Sequence, residues 1–127
     1  MQTPSHHVSV DASRKLVEVK LVGMLTPEHA AWIGEEVRAA VRSLGKHVGQ
    51  HVTLYDATDV PVVPLATVDL MQQSWANPEV RELWARKVAY VVGTAIAKLQ
   101  VSRLREARSD IAVFADRESA IAWLLEA

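Results

Sequence analysis

The chain has 127 residues, of which half are hydrophobic and 23% are charged, and its formal net charge is −1 at pH 7. This length predicts a single domain over 1–127, with a real core but no room for a second one. The charge balance gives no sign of a nucleic-acid partner, and the absence of cysteine excludes disulfides, thiolate metal sites and a cysteine nucleophile. No apolar run reaches the roughly 20 residues that cross a bilayer, and residues 1–7 have no signal-peptide core, so we expect a cytoplasmic protein.

The N-terminal third predicts a β-hairpin followed by an amphipathic helix. Two β-rich segments, 7–10 and 16–22, flank a polar turn, and the second alternates apolar and charged residues, which is typical of a strand with one buried face. Thr26 and Pro27 supply a helix N-cap and a first helical residue. Apolar residues then recur at helical spacing until Gly45 ends the helix.

The rest of the chain alternates strands and helices. We expect strands at 51–56, 87–92 and 111–114. Helices are expected at 65–76, from the Thr94 cap to about 108, and after the Asp116 cap, with one extra turn following Asn77-Pro78. The expected inward residues of the second and last helices are Leu65, Val68, Met71, Trp75, Ala120, Ile121, Trp123, Leu124 and Leu125. The order ββαβαβαβα predicts an α/β fold in which an antiparallel hairpin leads into parallel strands, with the helices mainly on one face.

Several of these segments point to one family. They are the hairpin, the Gly23–Pro27 entry into the first helix, the strand ending in Tyr55-Asp56 and the closing Ala120-x-x-Trp123-Leu124. Over about 8–125 the chain resembles the SpoIIAA-like branch of the STAS superfamily, bacterial relatives of the anti-sigma-factor antagonists. The resemblance implies a STAS-like fold, a non-enzymatic role in protein interaction or regulation, and often a homodimer.

The chain departs from that family at the phosphorylation switch. The antagonists carry a phosphorylatable serine in an Asp-Ser-Gly turn, whereas 60–67 here reads Val-Pro-Val-Val-Pro-Leu-Ala-Thr. The nearest hydroxyls belong to Thr58 and Thr67, and the two prolines remove backbone donors that would hold a phosphate. We therefore do not carry the phospho-serine mechanism over to this chain.

Two groups of residues define a candidate interaction or ligand surface. Asp56 and Asp59 follow a strand at the edge where α/β sheets place ligands; they could bind a cation or act as a base, although capping the strand is the simpler interpretation. Tryptophans near predicted helix ends can anchor a partner or an apolar ligand, although packing is again simpler, and Trp123 is expected in the core. The full set is Trp32, Tyr55, Asp56, Thr58, Asp59, Thr67, Trp75 and Trp84.

The remaining patterns predict no catalytic residue, cofactor or metal site. His47 and His51 straddle a loop and a strand, so helical metal-ligand spacing does not apply to them. Gly93-Thr94 opens a helix after a strand and could bind an anion through free amides, but a single glycine there is an ordinary turn requirement. Acidic residues are interspersed among the seven basic residues of 81–108, which favours a solvated face over one that binds an anion, a lipid headgroup or an acidic partner.

Three hypotheses about function follow. The first is an interaction module that presents a sheet edge, or the surface over 56–67, to itself or to a regulatory protein. A homodimer is expected because Tyr55, with Tyr90 or Phe114, is predicted on the solvent-facing side of the sheet, where this apolar surface would need covering.

The second hypothesis is a small-ligand or lipid-binding domain similar to the CRAL-TRIO carriers, with which relatives of this branch are often grouped. It requires a closed apolar pocket between the sheet and the helices that bear Trp32, Trp75 and Trp84. The third is an enzyme, which would need His51, Tyr55 and Asp56 to converge in a pocket.

Overall fold

The computed structural model describes residues 4–126, in which five strands and five helices follow the predicted order. The strands are β1 (Ser5–Asp11), β2 (Leu16–Val22), β3 (Val52–Asp59), β4 (Lys87–Val92) and β5 (Ala112–Phe114). The helices are α1 (Pro27–Arg42), α2 (Leu65–Ala76), α3 (Pro78–Arg81), α4 (Ala95–Ser102) and α5 (Arg117–Leu124). Short 3-10 turns at Gly45–His47 and Arg103–Glu106 follow α1 and α4.

The five strands form one mixed sheet in the order β1-β2-β3-β4-β5, with β1 antiparallel to β2 and the other pairs parallel. Crossovers between parallel strands are right-handed. Because this sheet grows in one direction, right-handed crossovers place every connecting helix on the same face. The predicted fold class, a mixed α/β sheet with helices mainly on one face, is confirmed.

The predicted helix starts are also confirmed by their caps. Thr26 Oγ1 accepts a hydrogen bond from the His29 amide at 3.1 Å, and Thr94 Oγ1 accepts one from the Ala97 amide at 3.1 Å. The carboxylate of Asp116 accepts a hydrogen bond from the Ser119 amide at 2.8 Å. Each cap satisfies a backbone donor that the first turn of a helix leaves free.

The face of the sheet that carries α1 to α4, called here the helix-covered face, holds most of the core. Its buried residues from the sheet and from α1 and α2 include Val17, Val19, Ile33, Val37, Val41 and Val68. A second group joins β4 to α4 and its following turn through Val88, Tyr90, Ala97, Val101 and Leu104.

The last helix packs on the opposite face, called here the α5 face. Ala120 and Leu124 bury Leu16, Val52, Leu54, Ala89 and Val91 there. Since α5 connects no two strands, the crossover rule does not hold it on the helix-covered face. The core is therefore not a single helix layer on one side of the sheet.

Two residue-level predictions are wrong. Leu65 is 64% exposed, because it is the first residue of α2 and lies beyond the turn that packs on the sheet. Leu125 follows the end of α5 and is also exposed, whereas Trp123 is half-buried and packs against the core as expected.

Several element boundaries also differ from the prediction, and two of them have a clear structural reason. The third strand runs to Asp59 instead of ending at Asp56, since the register with β2 shifts between Lys20 and Val22 and the Gly23 amide donates to the Asp59 carbonyl at 3.0 Å. The helix expected to reach about residue 108 ends at Ser102 and continues as a 3-10 turn.

Candidate functional site

An open cavity of about 490 Å³ lies on the helix-covered face. One wall is α1, from Ala30 to Arg42, and the other runs from Leu70 in α2 through α3 to Trp84. The floor is made by side chains of two neighbouring strands, Thr53 and Tyr55 of β3 and Val88 and Tyr90 of β4. A cavity of this size falls in the range of roughly 300–1,000 Å³ that is typical of small-molecule sites.

Four aromatic side chains form one end of this cavity. The rings of Tyr55 and Tyr90 are stacked, with centroids 4.6 Å apart and planes 12° apart, because the two residues are paired across β3 and β4. Trp75 meets Tyr55 edge-on at 6.3 Å, and its indole nitrogen donates to the Tyr90 hydroxyl at 3.3 Å. Trp84 meets Trp75 edge-on at 6.0 Å.

A buried arginine supports this aromatic end from outside the cavity. The Arg108 side chain is only 3% exposed, and its guanidinium lies 4.4 Å from the Trp84 ring centroid and 5.7 Å from that of Trp75. It donates to the Ala85 carbonyl at 2.7 Å and to the Asp110 carboxylate at 2.7 Å. Arg108 is thus part of the core, whereas the sequence pattern placed it on a solvated face.

Other basic residues of the same segment bond to carbonyls of the backbone. Arg86 donates to the carbonyl of Leu124 at 3.2 Å, and Lys87 donates to that of Trp123 at 2.7 Å. These bonds satisfy acceptors that the end of α5 leaves free. The segment therefore fixes the last helix to the sheet.

The two tyrosines of the cavity floor stay protonated at neutral pH. Burial raises the pKa of Tyr55 to about 12, although the charges of Arg108 and Arg38 oppose this rise. Burial and the neighbouring Tyr55 raise the pKa of Tyr90 well above its usual value. Both hydroxyl groups are therefore neutral hydrogen-bonding groups.

A separate polar group occupies the carboxyl end of β3. The amide and hydroxyl of Thr58 donate to Asp56 at 3.1 and 2.6 Å, and Lys20 Nζ lies 3.4 Å from Asp56 and 3.1 Å from Asp59. Burial opposes ionisation of Asp56, but the Thr58 hydrogen bonds and the Lys20 charge outweigh it and leave the pKa of Asp56 below its usual value. Asp56 therefore caps the end of the strand through Thr58 and shares the Lys20 ion pair with Asp59, so both carboxylates already have structural partners.

Trp32 and Thr67 lie outside both groups. Thr67 is fully buried and donates to the Leu25 carbonyl at 2.7 Å, so it is not available on a surface. Trp32 is 56% exposed and packs against the rings of His6 and His29, and it does not line the cavity.

Trp32 packs beside a hydrogen-bonded group of side chains, His6, His29 and Glu36, that the sequence did not predict. His6 Nδ1 lies 2.9 Å from His29 Nε2, and His6 Nε2 lies 2.6 Å from a Glu36 carboxylate oxygen. The group joins β1 to α1 across 23 and 30 residues of sequence, a separation that no local motif reveals. Within residues 4–126 no three histidine or carboxylate side chains are placed to hold a metal ion.

The structure therefore brings Tyr55, Trp75 and Trp84 together and separates them from the other predicted residues. Tyr55 faces the cavity, while its neighbour Asp56 pairs with Lys20 on the α5 face, so these two and His51 do not converge as the enzyme hypothesis requires. Tyr55 and Tyr90 lie beneath helices, so the argument for a homodimer from an uncovered tyrosine face is wrong. None of the helices in residues 4–126 is long and apolar enough to cross a bilayer.

A solved structure resembles this arrangement over nearly the whole chain. It is an uncharacterised protein of the DUF3478 family with a SpoIIAA-like fold, from Shewanella loihica PV-4. The match has a TM-score of 0.68 and 18% sequence identity, and it covers 98% of this chain and 97% of that chain. This chain has a SpoIIAA-like fold. The resemblance seen in the sequence is confirmed at the level of fold, although no family model and no curated protein matches the chain.

Proposed function

We propose that this chain is a non-enzymatic, cytoplasmic binding module that holds a small apolar ligand in the cavity between α1 and α2–α3. The observation that carries the proposal is the cavity itself, which combines a volume of about 490 Å³ with walls of apolar and aromatic side chains. Ligand sites of this kind are concave and mostly apolar, with a few polar groups that orient the ligand. This was the second hypothesis from the sequence. Trp75 and Trp84 line the cavity and support it, although Trp32 does not line the cavity and the cavity is open instead of closed.

Native mass spectrometry of freshly purified protein tests this proposal. We expect a fraction of the protein to carry a bound small molecule, released on denaturation. The matched control is Ser74→Phe, which places a ring in the cavity from the half-buried outer part of α2 and should remove the added mass. A wild-type protein with the bare mass, and with no binding of apolar probes, would contradict the proposal.

A second candidate function, a protein-interaction module, is favoured by a different observation. Leu65, Ile96 and Leu99 are 64%, 57% and 70% exposed. Gln100 of α4 exchanges hydrogen bonds with the amide and carbonyl of Val63, in the loop that precedes α2. These bonds hold the start of α2, with Leu65, at the same end of the molecule as α4. Ile96 and Leu99 are neighbours on the surface of α4, one turn apart, and a contiguous exposed apolar patch is a feature of association sites.

We propose a second copy of the chain as the partner of this surface. Sedimentation velocity should then show a dimer that Leu99→Glu converts to a monomer. Lys98→Glu, an exposed change on the same helix, should leave the dimer intact. A stable wild-type monomer at micromolar concentration would exclude self-association through this surface.

A further inference from the structure

Arg38 is a charged residue inside the cavity without a charged partner. Four charged residues line the cavity, and Glu35, Arg42 and Glu79 are exposed at its rim, whereas Arg38 is half-buried. Across residues 4–126 the Arg38 guanidinium makes no ion pair and no side-chain hydrogen bond. A partly desolvated charge without a partner is costly, and an anion beside it would offset that cost.

The helix is built so that this guanidinium can fold back against it. Gly34 lies one turn before Arg38, and a Cβ added there would be 3.0 Å from Arg38 Nη1. The glycine therefore leaves the space that the guanidinium occupies. Glycine inside a helix costs about 1 kcal/mol relative to alanine, so the position is not explained by helix stability.

The Tyr55 hydroxyl group is a second polar group of the same cavity. The hydroxyl of Tyr55 is close enough to both Arg38 and Arg108 for each charge to favour its ionisation. Within the described part of the chain this hydroxyl makes no hydrogen bond, so it remains available as a donor. Arg108 pairs with Asp110 at 2.7 Å, so of these two arginines it is Arg38 whose charge has no acidic partner among the described residues.

We propose that the ligand is an apolar monocarboxylate, whose carboxylate binds Arg38 with the help of the Tyr55 hydroxyl and whose body lies along Trp75 and Trp84. This inference rests on the proposed ligand-binding function and names the class of ligand. One guanidinium matches one carboxylate through paired N–H···O bonds. A doubly charged phosphate would need more cations than the single half-buried guanidinium in the cavity provides.

Isothermal titration with two probes of equal chain length tests this inference. Dodecanoate carries the carboxylate, and dodecan-1-ol has the same apolar body without charge. We expect wild-type protein to bind dodecanoate about ten-fold more tightly, as one charge-assisted hydrogen bond would provide. In Arg38→Gln that ten-fold preference for dodecanoate over dodecan-1-ol should disappear.

The outcomes separate this inference from the broader proposal. If both probes bind equally to wild-type protein, or if Arg38→Gln keeps the ten-fold preference, the carboxylate assignment is wrong and the apolar cavity function stands. If neither probe binds, both are wrong. Ser74→Phe should weaken both probes, and unchanged binding there would place the ligand outside the cavity.

Discussion

Gly34 and Gly93 lack a side chain for two different steric reasons. A Cβ on Gly34 would meet the far end of the flexible Arg38 side chain at 3.0 Å, which can move away. A Cβ on Gly93 would lie 2.7 Å from the backbone carbonyl oxygen of Thr58, at the end of the neighbouring strand. Backbone atoms of a paired strand cannot move without disturbing the sheet, so the two positions should respond differently to the same substitution.

We therefore expect Gly34→Ala and Gly93→Ala to change stability in opposite directions. Gly34→Ala should raise the free energy of unfolding by up to about 1 kcal/mol, because alanine favours the helix and Arg38 can swing outward. Gly93→Ala should lower it by about 1–3 kcal/mol, since the added methyl group forces β3 and β4 apart. Urea denaturation followed by circular dichroism measures both, and a stabilised Gly93→Ala protein would contradict the close approach.

Arg108 supports the fold through contacts that the sequence pattern did not reveal. We expect Arg108→Ala to lower the free energy of unfolding by about 3 kcal/mol, because it removes hydrogen bonds to Ala85 and Asp110 and uncovers the Trp75 and Trp84 rings. Lys98→Ala, a change of an exposed basic residue in the same segment, should stay within about 0.5 kcal/mol of wild type. Equal effects in thermal denaturation would show that Arg108 belongs to an ordinary solvated face.

Among the elements, α5 offers a comparison between two adjacent leucines. Leu124 is fully buried against β3 and β4, whereas Leu125 lies past the end of the helix and is exposed. Leu124→Ala should cost about 2–5 kcal/mol, as expected for a cavity in a core. Leu125→Ala should change stability by less than about 0.5 kcal/mol. Chemical denaturation of the two variants distinguishes them, and a similar loss in both would mean that α5 packs in another register.

The elements that the sequence predicted well are those with their own local signals. Thr26, Thr94 and Asp116 cap helices where the pattern places them, and β4 is buried from Val88 to Val92 because helices cover both of its faces. The end of β3 was not predictable in this way. It depends on a register shift against β2, which is a property of two segments 36 residues apart.

At the scale of the whole molecule, stability should fall as the solution is acidified. Burial and the Arg108 charge lower the pKa of His51, and burial and nearby His6 lower that of His29. Below the ordinary histidine pKa of about 6.5, the unfolded chain takes up protons that the folded chain resists, so folding is disfavoured progressively. The carboxylates with lowered pKa values, such as Asp56, lose their contribution only in more acidic solution, below about pH 4.

Urea titrations at about pH 7.5 and about pH 5.5 measure this effect. We expect a lower unfolding midpoint in the more acidic solution. The difference should shrink in His51→Gln, which removes the more deeply buried of the two rings. An unchanged wild-type midpoint would show that neither histidine resists protonation in the folded state.

The cavity is a property of the assembled molecule that the sequence could indicate only in part. Aromatic residues near helix ends predicted a ligand surface, and Trp75 and Trp84 do line the cavity, but Trp32 at a similar helical position does not. Which tryptophan points inward depends on how α1 is rotated on the sheet and how far α3 stands from it. The rotation of α1 and the position of α3 are set by packing across the whole core, so no local sequence pattern predicts them.

The placement of α5 has a consequence for how the protein is made. A ribosome releases the hairpin and the strand–helix units first, and each new strand can add beside the one before it because chain order and sheet order coincide. Leu16 and Leu54, however, stay exposed to solvent until Ala120 and Leu124 have been synthesised and pack on them. A nascent chain that stops before α5 would therefore expose an apolar strip on a sheet that has all its strands. Chaperones bind exposed apolar surface of this kind.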